Sequence, residues 1–142
     1  MTEKELRNYI ENYEYNLNEA NDLYKKYKEI NYKLTSNYGQ TFQGGDFRNS
    51  KIETYIMQKE KALAKIKKLE TKIAIVNIAV VVLTTEERAV IEKMKIWQNK
   101  TKIIAATLNK DKKYVIATRE RSLKKMCEYL NSMKSRKWNI KT

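Results

Sequence analysis

The chain is predicted to be all-α, on three observations. It contains no Pro and only three Gly in 142 residues. It is rich in Lys, Glu, Leu, Ile and Ala, so helix formers are many and helix breakers few. Its apolar residues recur in steps of three, four and seven, which follow a helix and not a strand. Strands would need frequent turn residues, and almost none occur. The apolar content of 42% is enough for a core and argues against wholesale disorder. The expected architecture is a long, coiled-coil-like helical hairpin over residues 1–82, followed by a three-helix domain over residues 83–142.

The first helix is expected from Glu3 to Leu34, with Leu6, Tyr9, Tyr13, Leu17, Ala20, Leu23, Tyr27, Ile30 and Leu34 on one stripe. Tyr at this spacing fits a packed face, its hydroxyl at the rim, better than a platform for stacking bases. Residues 35–50 (TSNYGQTFQGGDFRNS) hold all three Gly and read as the one clear loop. A second long helix follows to about Val82. Its seam is Ile52, Ile56, Leu63, Ile66, Leu69, Ile73, Val76 and Val80, in a coiled-coil pattern. This seam exposes more apolar surface than one neighbouring helix covers, so a homodimer or higher homo-oligomer is expected. The run from Ile73 to Leu83 is about half as long as a membrane span and contains Asn77, so it reads as a buried helix, with no membrane partner.

Charge is unevenly placed. The net charge is +13; residues 84–142 carry 16 Lys and Arg against 6 Asp and Glu, whereas residues 1–83 carry 14 against 11. A basic field confined to one half points to a polyanionic partner. The chain has no His and a single Cys, Cys127. These counts exclude imidazole-based catalysis and intrachain disulfides, and give no ligand set for a structural zinc. No catalytic residue, metal or cofactor is expected, and the chain does not read as an enzyme. The lone Cys and the polar, mixed-charge stretch after Met1 fit a cytoplasmic protein.

The C-terminal half carries the most specific pattern. Thr84 and Glu87 have capping-box spacing at the head of a helix with Val90, Ile91, Met94 and Trp97 facing inward. A short helix with Ile104, Ala105 and Leu108 follows; Asn99 or Thr101 could cap it. Asn109 stands where a left-handed residue ends a helix, and Asp111 where the next begins. The third helix, from Lys112, places Val115, Thr118, Ser122 and Met126 on one face. Helix, three-residue turn and basic helix make a helix-turn-helix. Lys112, Lys113, Ile116 and Ala117 would then face base edges in double-stranded DNA. Lys100, Lys102, Lys110, Tyr114, Arg119 and Lys124 would reach phosphates.

Residues 83–126 also resemble region four of bacterial sigma factors. The matching positions are Leu83, Glu87, Arg88, Val90, Ile91, Ile104, Ala105, Leu108, Asp111, Val115, Arg121 and 123–126. The resemblance implies that Lys112, Lys113, Ile116 and Ala117 read a promoter element and that Arg88 touches a phosphate. Nothing matches the sigma regions that melt DNA or grip the polymerase. The whole chain is similar to phage and prophage late-gene transcriptional regulators of the ArpU/RinA type, which join an N-terminal helical region and a Gly/Ser loop to a sigma-like helix-turn-helix. That likeness implies a bacterial host and bacterial RNA polymerase as a further partner. Asn109 replaces the usual turn Gly, Thr118 an apolar core residue, and Ile116 and Ala117 lack hydrogen-bonding groups. Two other classes share part of the pattern: a DNA-packaging or recombination accessory of the small-terminase kind, and a polymerase-binding module that never touches DNA.

Overall fold

The computed structural model describes residues 1–38 and 46–141, with side chains over 1–35 and 51–134. The fold is all-α, with no strand among the described residues. Its helices are α1 (Glu3–Glu11), α2 (Tyr13–Tyr38), α3 (Asp46–Ala79), α4 (Thr85–Trp97), α5 (Thr101–Leu108) and α6 (Lys112–Lys141). Residues 39–45, which include all three Gly, lie outside the description. The two ends of the expected loop are helical, since α2 runs on to Tyr38 and α3 begins at Asp46.

The first long helix is divided. Thr2 caps α1, its hydroxyl accepting from the Glu5 N–H, and Glu3 and Glu5 sit at the positive end of the helix dipole. Asn12 separates α1 from α2: its φ and ψ are −98° and 12°, and its backbone N–H and side-chain amide both donate to the Asn8 carbonyl. The second long helix also ends early. After Ala79 the chain tightens into one 3-10 turn, Val80–Val82, where three β-branched residues crowd the α-helical geometry.

The chain forms two compact units, residues 16–71 and residues 1–15 with 72–142. This differs from a boundary at residue 83. In the second unit α4, α5 and α6 each pack on the other two, and α1 packs on α4 and α6. Their shared core holds Val90, Ile91, Met94, Ile104, Val115, Leu123 and Met126. Leu6 and Ile10 from α1, and Val76 and Ala79 from α3, join it with no exposed surface. Two stripes that read as continuous along the sequence therefore divide, each serving both units. Tyr13 hydrogen-bonds Asn77 at 2.9 Å, and its ring lies 4.1 Å from the ammonium of buried Lys95. The Tyr9 ring faces the ammonium of Lys72 at 5.8 Å. These rings are engaged by lysines, as expected of packed tyrosines with polar rims.

The other unit contains the rest of α2 and α3. The later part of α2 faces the earlier part of α3, with the Lys59 ammonium 5.6 Å from the Tyr27 ring. Ala20, Leu23, Leu34, Ala62 and Ile66 are buried here. The expected apolar seam is used unevenly. Ile66 and Val76 are buried, Ile52, Leu69, Ile73 and Val80 are half-buried, and Ile56 and Leu63 are 41% and 42% exposed.

The core of the larger unit needs α1 and the end of α3. Leu6→Ala, which removes a fully buried side chain, is expected to cost about 3 kcal/mol, read as a lower urea midpoint. A fragment of residues 83–142 lacks Leu6, Ile10, Val76 and Ala79, so it should unfold broadly instead of cooperatively. A fragment as stable as the whole chain would contradict this packing.

Candidate nucleic-acid interface

The candidate surface is built on the N-terminal turns of α6, and the start of that helix is set by its turn. Asn109 has φ 55° and ψ 45°, the left-handed region that Asn tolerates better than most residues. Its N–H reaches back to Ala106, and Lys110 N–H reaches Ala105. Two carbonyls left open at the end of α5 are thereby satisfied. The Asp111 carbonyl accepts from Val115 N–H, the first bond of the new helix. Neither Asn99 nor Thr101 caps α5. Lys100 stands at the cap without a side-chain bond, and Asn99 accepts a hydrogen bond from Arg7 of α1.

From Lys112 onward the two faces of α6 separate. Val115, Thr118, Ser122, Leu123, Met126 and Cys127 are buried, the Ser122 hydroxyl donating to the Thr118 carbonyl at 2.6 Å. That bond lets a hydroxyl stand in an otherwise apolar core. Lys112, Lys113, Ile116 and Ala117 are all exposed, and helical register puts them together on the side opposite Val115, Thr118 and Ser122. Of the expected phosphate contacts, Lys100, Lys102, Lys110, Lys124 and Arg88 are exposed. Arg88 donates to the Val80 carbonyl at 3.4 Å, and the Lys110 ammonium sits 5.3 Å from the Tyr114 ring. The Tyr114 hydroxyl donates to Glu86 at 3.2 Å.

Arg119 departs from its expected position. Its side chain is only 11% exposed, it lies 3.4 Å from Glu120, and its Nε is buried without a partner among the described residues. Four residues after Val115 and three before Ser122, it occupies the shoulder of the buried face and is not free to reach outward. The residue that sequence reasoning missed is Glu120. It is exposed and follows Lys112 and Ile116 by steps of four, a register that continues to Lys124. That spacing was available in the sequence, and it places one carboxylate within an otherwise basic face.

The orientation of α6 rests on Glu87, which has no exposed surface. Thr84 and Glu87 form the full capping box: the Thr84 hydroxyl accepts from Glu87 N–H at 3.3 Å, and the Glu87 carboxylate accepts from Thr84 N–H at 3.0 Å. The same carboxylate accepts from Arg121 Nε at 3.0 Å and Lys125 Nζ at 2.9 Å, one turn apart on α6. Burial alone would push this carboxyl up. The Thr84 backbone N–H, then Lys125, Arg121 and the Thr84 side chain, more than offset that and hold it at about 2, from an ordinary 4.5. Elsewhere on α6, burial pushes the Cys127 thiol up, which leaves little reactive thiolate.

No family model, curated protein or solved structure matches the chain. Among the described residues no group of three Cys, Asp or Glu side chains could hold a metal ion, and no helix is long and apolar enough to cross a membrane.

Because folding lowers the pKa of Glu87, the stability it contributes is complete above about pH 4.5 and is lost as pH falls toward 2. Wild-type thermal stability should therefore drop through that window. Glu87→Ala should be less stable at neutral pH by about 2 kcal/mol, since its two ionic partners stay hydrated while the cap is lost. The variant should also lose part of the acid dependence. Parallel pH profiles for the two proteins would refute this role.

Proposed function

We propose that residues 83–126 form a helix-turn-helix that binds double-stranded DNA, with α6 as the helix that enters the major groove. The observation that carries this reading is the joint exposure of Lys112, Lys113, Ile116 and Ala117 on the first turns of a helix whose opposite face is buried. A major groove admits one α-helix, and the N-terminal part of a reader helix meets base edges. Lys112 and Lys113 offer donors to guanine O6 and N7; Ile116 and Ala117 offer apolar contact to thymine methyls. Exposed Arg88, Lys100, Lys102, Lys110 and Lys124 supply phosphate contacts, which position the domain and give affinity. Arg119 and Tyr114 are left out of that set, Tyr114 because its hydroxyl is turned to Glu86. The likeness to sigma region four supports the same assignment. With it we propose a transcription regulator of the phage or prophage late-gene kind, working in a bacterial cytoplasm with RNA polymerase as a second partner.

Self-association belongs to this reading, because two linked reader helices gain avidity over one. The face proposed for it lies between α2 and α3, where exposed Ile56 and Leu63 flank buried Leu34. Its charges, Lys59 and Glu60, balance, so a second copy meets no net repulsion there.

With about five phosphate contacts, affinity for duplex DNA should fall by nearly three decades between roughly 50 and 200 mM salt. Lys113→Glu should change the preferred site in a selection experiment, since Glu favours the cytosine amino group. Lys102→Ala should weaken all sites alike. A flat salt response, or one unchanged site for Lys113→Glu, would contradict the assignment.

Light scattering at micromolar concentration should give at least a dimer. Leu63→Asp should convert it to a folded monomer that binds DNA at least tenfold more weakly, because Leu63 is already 42% exposed within its own chain. A wild-type monomer that still binds one undivided site would overturn the oligomer and leave the reader helix standing.

A further inference from the structure

The pair α2 and α3 carries a second groove, on a different side from the balanced face just described. Its floor is apolar: Leu23 and Ala62 are buried and Ile30 half-buried. Its walls are basic. Lys26 stands on α2, and Lys61 and Lys65 on α3, all exposed and without an ion pair among the described residues. The one carboxylate in the lining, Glu29, is taken up by Lys33 at 3.9 Å. Helical register explains the difference between the two sides. On α3 the steps Lys61, Ala62 and Lys65 share one face, whereas Ile56, Lys59 and Leu63 share another.

We propose that this groove binds an acidic amphipathic helix of a partner protein. Two helices lying side by side leave a channel of the right width for a third, and apolar residues on such a helix would cover Leu23, Ile30 and Ala62. Carboxylates flanking its apolar stripe would meet Lys26 on one wall and Lys61 and Lys65 on the other. Charge complementarity of this kind selects the partner and its orientation. The alternatives fit less well. A second copy of the chain would bring the same lysines toward each other. A nucleic acid would satisfy the ammonium groups but leave the apolar floor unfilled, and the lining has no aromatic ring for base stacking. A membrane needs apolar residues that protrude, and here they form the bottom of a concave channel. The groove would thus give the chain a protein-recruiting surface separate from the residues assigned to DNA.

The test uses the full chain and a fluorescent synthetic helix of about three heptads, with Leu at the a and d positions and Glu at e and g. Fluorescence anisotropy should show this peptide binding the wild type. A Lys61→Glu, Lys65→Glu double variant should bind it at least ~10-fold more weakly, and should instead take up the same peptide with Lys in place of Glu. Both positions are exposed, so circular dichroism should show an unchanged fold. Duplex-DNA affinity should also stay close to wild type, which separates failure here from failure of the DNA reading. The proposal is overturned if the Glu peptide does not bind, or binds both proteins equally. It is equally overturned if phosphatidylserine vesicles or a single-stranded oligonucleotide bind through Lys61 and Lys65 while the peptide does not.

Discussion

One buried carboxylate holds the larger unit in register. Glu87 closes the capping box at the head of α4 and, through the same two oxygens, receives Arg121 and Lys125 from the middle of α6. Those two side chains stand one turn apart on the same side of α6, so the carboxylate fixes both the rotation of that helix and its position along α4. With Arg121 and Lys125 turned toward Glu87, the buried row from Val115 to Met126 meets the core. Lys112, Lys113, Ile116 and Ala117 are left outward. A charge without exposed surface is tolerable only because each face of it is occupied by a donor. The partners remain about half exposed, which keeps the desolvation cost on one side of the pair.

A second constraint is completion of the core by distant segments. The helices α4, α5 and α6 alone offer limited apolar area, and small domains are correspondingly marginal. Here α1 and the end of α3 add Leu6, Ile10, Val76 and Ala79. Polar contacts fix the arrangement: Arg7 to Asn99, Tyr13 to Asn77, and the Lys95 ammonium over the Tyr13 ring. The lysines that face Tyr9, Tyr13 and Tyr27 pack on those rings as well as carrying charge, and of the three only Lys95 is buried.

Legibility in the sequence followed the range of the interaction. The start of α4, the left-handed stop at Asn109 and the start of α6 are decided within four or five residues, and each was readable. So was the buried face of α6, Thr118 and Ser122 included. The break at Asn12 was hidden because Leu6, Tyr9 and Tyr13 keep helical spacing across it. The destinations of Leu6 and Val76 were hidden for another reason: periodicity says that a face is covered but not by which part of the chain. Ile56 and Leu63 share the spacing of Ile66 and Val76, yet only the latter pair is buried. Arg119 looked like a free cation by composition and lies on the shoulder of a packed face. At the candidate site, the shared exposed face of Lys112, Lys113, Ile116 and Ala117 was legible from register, while Glu120 went unnoticed among the charges around it.

The surface proposed to meet DNA is the exposed face at the start of α6. The most direct measurement is a backbone amide NMR titration of the full chain with a duplex selected from random sequence. On this account the largest shifts fall on Lys112, Lys113, Ile116 and Ala117, with smaller ones at Lys100, Lys102 and Lys110 and none in the α2 and α3 groove around Leu23 and Ala62. Shifts centred on α2 and α3, with the first turns of α6 unmoved, would contradict it.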